Sequence, residues 1–149
     1  MKKFVLLLSV LGIVLFLTGA CSLSGSDDDN GSSDSPSEVP EEEPNDSKTT
    51  ADYFGTDDIG KGTIANSADD DYWKTGMVAG YDREVSISAD STVTVDVKYW
   101  DNAQLNDYNS YSGTSITKTF NPSSDLTYYF IISSSSSGVD YTITTQVAN

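Results

Sequence analysis

The chain is expected to fold as an all-β sandwich, and three observations predict it. Val93, Val95, Val97 and Tyr99 alternate with Thr92, Thr94, Asp96, Lys98 and Trp100, the period of a strand with one buried face. Tyr128 to Ile132 is apolar without a break, as a strand covered on both faces would be. Turn-forming residues recur at Ala79-Gly80, Ala89-Asp90-Ser91, Asn121-Pro122 and Ser137-Gly138, so only short strands fit between them.

Taken from the front, Met1-Lys2-Lys3 is a basic start, and an apolar run follows from Phe4 to Leu17. Small residues then lead to Cys21. A basic start, a short apolar core and a small-residue processing site form a secretory signal. The run is too short to span a bilayer as a helix, which takes roughly 20 apolar residues. Leu17-Thr18-Gly19-Ala20-Cys21 also resembles the lipobox of bacterial lipoproteins, with Thr18 where leucine is usual. That resemblance implies a signal peptide over 1–20 and an acylated Cys21 as mature amino terminus, anchoring the chain to a membrane. The alternative is an ordinary cleaved signal that leaves a free thiol. Cys21 is the only cysteine, which rules out an intramolecular disulfide. Each buried acyl methylene contributes about 0.8 kcal/mol, so two or more chains hold stably. Ser22 follows the cysteine in place of the aspartate that retains many lipoproteins at the inner membrane. The expected location is the cell envelope, outer membrane or cell surface rather than inner membrane.

Residues 21–42 carry Ser, Gly, Pro, Asp and Glu, with no Lys or Arg. Such a stretch cannot bury enough surface to offset its ordering entropy and is expected to be a disordered acidic linker. As a coil of about 20 residues it spans roughly 25 Å. Asp27, Asp29 and Glu38 match three places of an EF-hand loop, but Gly31 and Ser32 stand where a ligand and an obligate glycine belong, so this is a solvated charge run.

From residue 43 to 149 the composition turns to Tyr, Val, Ile and Thr, enough for one domain with a modest core. Val85 and Ile87 extend the alternation, as do Tyr141, Ile143, Thr145 and Val147. A helical turn around residues 46–53 is the only helical expectation. Two acidic groups frame the start of the domain: Glu43-Pro44-Asn45-Asp46, and Asp69-Asp70-Asp71 running into Tyr72-Trp73. Carboxylates at this density repel unless water or a cation lies between them, and hard oxygen donors suit calcium. A solvated acidic loop is the other reading.

Taken together, several stretches resemble the bacterial pre-peptidase C-terminal domain. They are Glu43-Pro44-Asn45-Asp46, Gly62-Thr63-Ile64, Asp71-Tyr72-Trp73-Lys74 closing at Ala79-Gly80, Thr127 to Ile132, and Gly138 to Ile143. They occur in the family's order and cover the domain. Collagen-binding domains of secreted bacterial collagenases are similar. The resemblance implies a single antiparallel, jelly-roll-like β-sandwich. It also implies calcium bound by Glu43, Asn45, Asp46 and Asp71, with either Asp69 or Asp70 as a further ligand. Ala68 stands where the collagenase pattern has another aspartate. Ser133 and Ser135 occupy places where the collagen-binding relatives present tyrosines, so collagen is not supported as a partner.

The remaining surface chemistry favours binding over catalysis. There is no histidine, which excludes Ser-His-Asp, Cys-His and His-metal sites. Ser115-Ile116-Thr117-Lys118 matches Ser-x-x-Lys, but on a strand the two ends point to opposite faces. The net charge of −15 opposes nucleic-acid binding, which neutralises phosphates with Lys and Arg. Trp100, Tyr108 and Tyr111 lie in or beside a segment, 100–114, that also carries Asn and Asp. It reads as a loop able to contact a glycan or protein ligand. The expected function is a non-catalytic binding module on an envelope lipoprotein. The runner-up is an accessory domain assisting secretion or stability of a secreted protein such as a peptidase.

Overall fold

The computed structural model describes residues 35–148. The signal peptide, Cys21 and most of the acidic linker lie outside the described residues. Eight strands follow one another: β1 Glu38–Pro40, β2 Asp52–Tyr53, β3 Ile59–Ile64, β4 Asp70–Met77, β5 Arg83–Trp100, β6 Leu105–Phe120, β7 Leu126–Ser133 and β8 Val139–Val147. No helix occurs among the described residues; the segment expected to hold a helical turn closes as a turn, Thr50 N–H donating to the Ser47 carbonyl at 3.1 Å.

All eight strands belong to one sheet in the order β1-β3-β8-β5-β7-β4-β2, with β6 along the other edge of β5. β5 organises it. Arg83 to Ala89 pairs with β8, and Thr94 to Trp100 pairs with β7. Between them the register slips from Ser88 to Val93. Ala89-Asp90-Ser91 is therefore a bulge inside one long strand rather than a turn between two. Extra residues of this kind bend a strand and increase its twist. The bend brings the β3–β8 side of the sheet to face the β4–β7 side, where Trp73 Nε1 donates to the Tyr141 hydroxyl at 2.7 Å.

The enclosed core holds Phe54, Trp73, Phe120, Phe130, Ile143 and the predicted Val93, Val95 and Val97. Phe54 meets Trp73 edge-on at 5.9 Å between centroids, and Phe120 meets Phe130 at 5.7 Å, geometry that aromatic quadrupoles favour. Tyr128 to Ile132 is buried throughout, as expected of a doubly covered strand. Val147 departs from its series and is exposed at the strand end.

The fold is all-β, but its details differ from the expected single antiparallel sandwich. β1 runs parallel to β3 and β2 parallel to β4, so the sheet is mixed. It is continuous and curled, because β5 and β6 run through both halves. The linker expected to be disordered through residue 42 ends sooner: Glu38, Val39 and Pro40 pair with Ile59, Gly60 and Lys61. Residues 100–114 are not a loop either. Only 101–104 turn the chain, and β6 begins at Leu105.

Candidate metal centre

Strand parity places the central acid. Along β4, Asp71, Trp73, Thr75 and Met77 face inward and are buried, while Asp70 and Gly76 face out. Asp71 lies two residues before Trp73, so it enters the interior at the same edge where Tyr141 of β8 arrives. Tyr141 donates its hydroxyl proton to Asp71 Oδ2 at 2.6 Å and accepts from Trp73 Nε1.

The segment after β1 brings the other carboxylates across this edge. Glu41 N–H donates to the Lys61 carbonyl, and Glu41 Oε1 accepts from Thr63 N–H at 2.8 Å. Asn45 is fully buried. Its carbonyl accepts from Tyr72 N–H, its N–H donates to Glu43 Oε2, and its Nδ2 donates to Asp52 Oδ2 at 3.2 Å. Asp69 is held at the end of the preceding turn, where its Oδ2 accepts from Ala65 N–H.

The result is two overlapping groups of acids, Glu41 with Glu43 and Asp71, and Glu43 with Asp46 and Asp69; within each group carboxylate oxygens lie within 4.8 Å of one another. Glu43 belongs to both. The two ion pairs of the described residues, Lys61–Glu38 and Lys98–Asp107, involve none of these five acids. Two oxygens there are buried without any hydrogen-bond partner: Asn45 Oδ1 and Asp71 Oδ1. A buried acceptor left unmet costs roughly 1–3 kcal/mol, more when charged.

Electrostatics follow from that crowding. Burial pushes the Asp71 carboxyl up to about 8; the Tyr141 hydrogen bond opposes this, and the Glu41 charge adds to it. Burial raises Glu41 as well. Asp70 is raised by partial burial and then by the charges of Asp46, Asp69 and Asp96. The Tyr141 hydroxyl is held protonated far above the usual tyrosine range, by burial first and then by Asp71. Every donor atom here is oxygen, which suits a hard cation. Calcium takes 6–8 such oxygens, and the orphaned Asn45 and Asp71 atoms fit that demand.

Of the residues named from sequence, the geometry gathers Glu43, Asp46, Asp69 and Asp71 as acids, with Asn45 beside them. Asp70 stands outside both groups and faces outward. Between the two alternatives, the structure brings Asp69 to the cluster. Glu41, Asp52 and Tyr141 were not anticipated. Glu41 follows β1 directly and Glu43 lies in a bend two residues on; the acidic run Glu41-Glu42-Glu43 was the only signal for Glu41 in the sequence.

The three aromatic residues do not form a common platform. Tyr108 sits at a register slip in the β5–β6 hairpin and packs on Phe120 and Tyr128, 5.5 and 5.8 Å away. Tyr111 pairs with Val95 and packs against the core, with Lys118 Nζ 4.9 Å above its ring. Trp100 faces outward with Lys48 Nζ 3.2 Å above its ring. No protein-family model matches the chain, and no curated protein matches it. The resemblance to the pre-peptidase C-terminal domain therefore rests on its motifs.

Proposed function

We propose that this chain is a cell-envelope lipoprotein, anchored through an acylated Cys21, that presents a calcium-stabilised, non-catalytic binding module. On this reading the curled sheet is a jelly-roll-like sandwich similar to pre-peptidase C-terminal domains. Glu41, Glu43, Asn45, Asp46, Asp69 and Asp71 would hold the ion, and Asp52 and Tyr141 would orient Asn45 and Asp71. Calcium would supply charge neutralisation and tie the segment after β1 to the start of β4. The observation that carries the reading is the pair of buried, unpartnered oxygens at Asn45 and Asp71, next to clustered acids that join neither ion pair of the described residues. Calorimetric titration of calcium into the chain tests it. Heat of binding and a rise in melting temperature are expected, both lost in Asp71→Ala. Silence at millimolar calcium ends the proposal. Incorporation of labelled palmitate, abolished by Cys21→Ala, tests the anchor.

A further inference from the structure

The outward face opposite the core carries a cleft that the metal centre does not use. Gly76 of β4, Thr127 of β7 and Trp100 of β5 are register partners across three neighbouring strands, so they share one face. A cleft of about 430 Å³ opens there, lined also by Tyr53, Asn102 and Asp125. That volume falls in the range of small-ligand sites, roughly 300–1,000 Å³.

Gly76 is the telling residue. A glycine inside a strand weakens it, and commonly marks a place where another group approaches closely. Gly60 and Gly62 have internal reasons to be glycine, since a Cβ would strike Trp73 and Ile143 at one, Glu41 and Tyr141 at the other. At Gly76 nothing lies within 4 Å of a Cβ, and its φ is not in the left-handed region. Neither packing nor backbone demands the missing side chain; the open space beside Trp100 is what it leaves.

The walls of that space are aromatic and polar. Tyr53 is 60% exposed on the short edge strand β2. Lys48 Nζ lies over one face of the Trp100 ring, 3.2 Å from its centroid, so that face is taken and Trp100 borders the cleft as a side wall. Asp125 spends one oxygen on Ala79 N–H at 2.9 Å and keeps the other. Flat apolar faces beside separate hydroxyl, amide and carboxylate groups match a sugar ring, which has C–H faces and hydroxyl edges. A carboxylate in the cleft of a chain with net charge −15 repels uronates and sulfated sugars.

We propose that this cleft is a subsite for a neutral pyranose unit of a glycan. The sugar ring stacks on Tyr53 with Trp100 as a side wall, and its hydroxyls reach Thr127, Asn102 and Asp125. The inference rests on the binding-module reading but not on calcium. Isothermal titration of the full chain with cellohexaose, chitohexaose, xylohexaose and mannohexaose tests it, with hexagalacturonate and decaproline alongside. At least one neutral hexasaccharide is expected to bind. Gly76→Val and Tyr53→Ala should weaken it roughly tenfold or more, with Gly76→Val melting no lower than the parent. Binding by none of the four, unchanged affinity in both variants, or preference for hexagalacturonate or decaproline overturns the proposal. Calcium heat from the same samples separates the two readings. Calcium heat without sugar heat rejects the cleft alone, while sugar heat without calcium heat rejects the metal centre and leaves the cleft standing.

Discussion

A carboxyl group with no exposed surface and one unpartnered oxygen, as at Asp71, is comfortable only as the neutral acid or beside a cation. Its ordinary value lies near 3.8 in the unfolded chain and is pushed up to about 8 in the fold. Between those limits the folded state holds a proton that the unfolded state has released, so metal-free stability falls as pH rises. Chelator-treated protein should therefore melt at a higher temperature at pH 5 than at pH 8. Asp71→Asn should flatten that slope, raise metal-free stability at pH 8 by roughly 1–3 kcal/mol, and abolish the calcium effect. A metal-free melting temperature that climbs from pH 5 to pH 8 contradicts the buried-acid geometry. Tyr141→Phe should cost about 1–2 kcal/mol, because it strips partners from both Trp73 Nε1 and Asp71 Oδ2; thermal melts of the metal-free protein measure it. Asp71 was legible in the sequence as a member of an acidic run and through the family motif; its parity with Trp73, two residues on, is what buries it in the fold. The choice between Asp69 and Asp70 was not, because the preceding turn has no period to count by; the Ala65 N–H makes that choice. Glu41 was hidden by its setting, since an acidic run reads as solvated until a strand is seen to precede it.

Strands show the same division between what periodicity reveals and what pairing decides. In β5 and β8 the apolar alternation marks the buried face, Val147 at the strand end excepted, and in β7 the unbroken apolar run marks a strand buried on both faces; each lies between two neighbours and over the core. β6 escaped notice for the converse reason. It is an edge strand, buried along its length only at Ile116 and Phe120, so its Ser, Thr, Asn and Tyr residues carry no hydrophobic period and look like a loop. The bulge in β5 was mistaken for a turn, since Ala89-Asp90-Ser91 supplies turn chemistry that the paired neighbours override. Glycines in two strands separate these effects by experiment. Gly62 of β3 lies where an added methyl would overlap the Glu41 carboxylate and the Tyr141 hydroxyl. Gly62→Ala should destabilise by about 1–3 kcal/mol, the usual cost of overpacking, and weaken calcium binding by displacing Glu41. Gly76→Ala, on open surface in β4, should be neutral or stabilising by up to about 1 kcal/mol. Chemical denaturation of the pair, with calcium titration of each, checks both; equal losses at the two sites contradict the packing around Gly62.

At the scale of the whole molecule, a continuous sheet curls until its two sides meet, and the acids gather where they meet. Trp73 and Tyr141 close that edge from the inside, and the segment from Glu41 to Asn45 crosses it from the outside. The all-β class was legible because it needs only alternation and turns. The curl was not, because it depends on which strand edges pair, and two of those pairings are parallel and only two or three residues long. One of them sets where the domain begins. β1 contributes its pairing to β3, the Lys61–Glu38 ion pair at 2.6 Å, and the approach that carries Glu41 to Thr63. A chain beginning at Ser35 should melt like the full chain and bind calcium as tightly. A chain beginning at Glu43, the boundary that composition suggests, lacks β1 and Glu41 and leaves the Thr63 N–H without its acceptor. The exposed ion pair contributes little, about 0–1 kcal/mol, so most of the expected loss of roughly 2–3 kcal/mol comes from the strand pairing and that N–H. Losing one carboxylate of the cluster should also weaken calcium roughly tenfold or more, by the usual dependence of affinity on ligand charge count. Side-by-side melts and titrations of the two truncations decide the matter. If both melt together and bind alike, β1 is an ornament on the sheet, and Glu41 has no part in holding its edge closed.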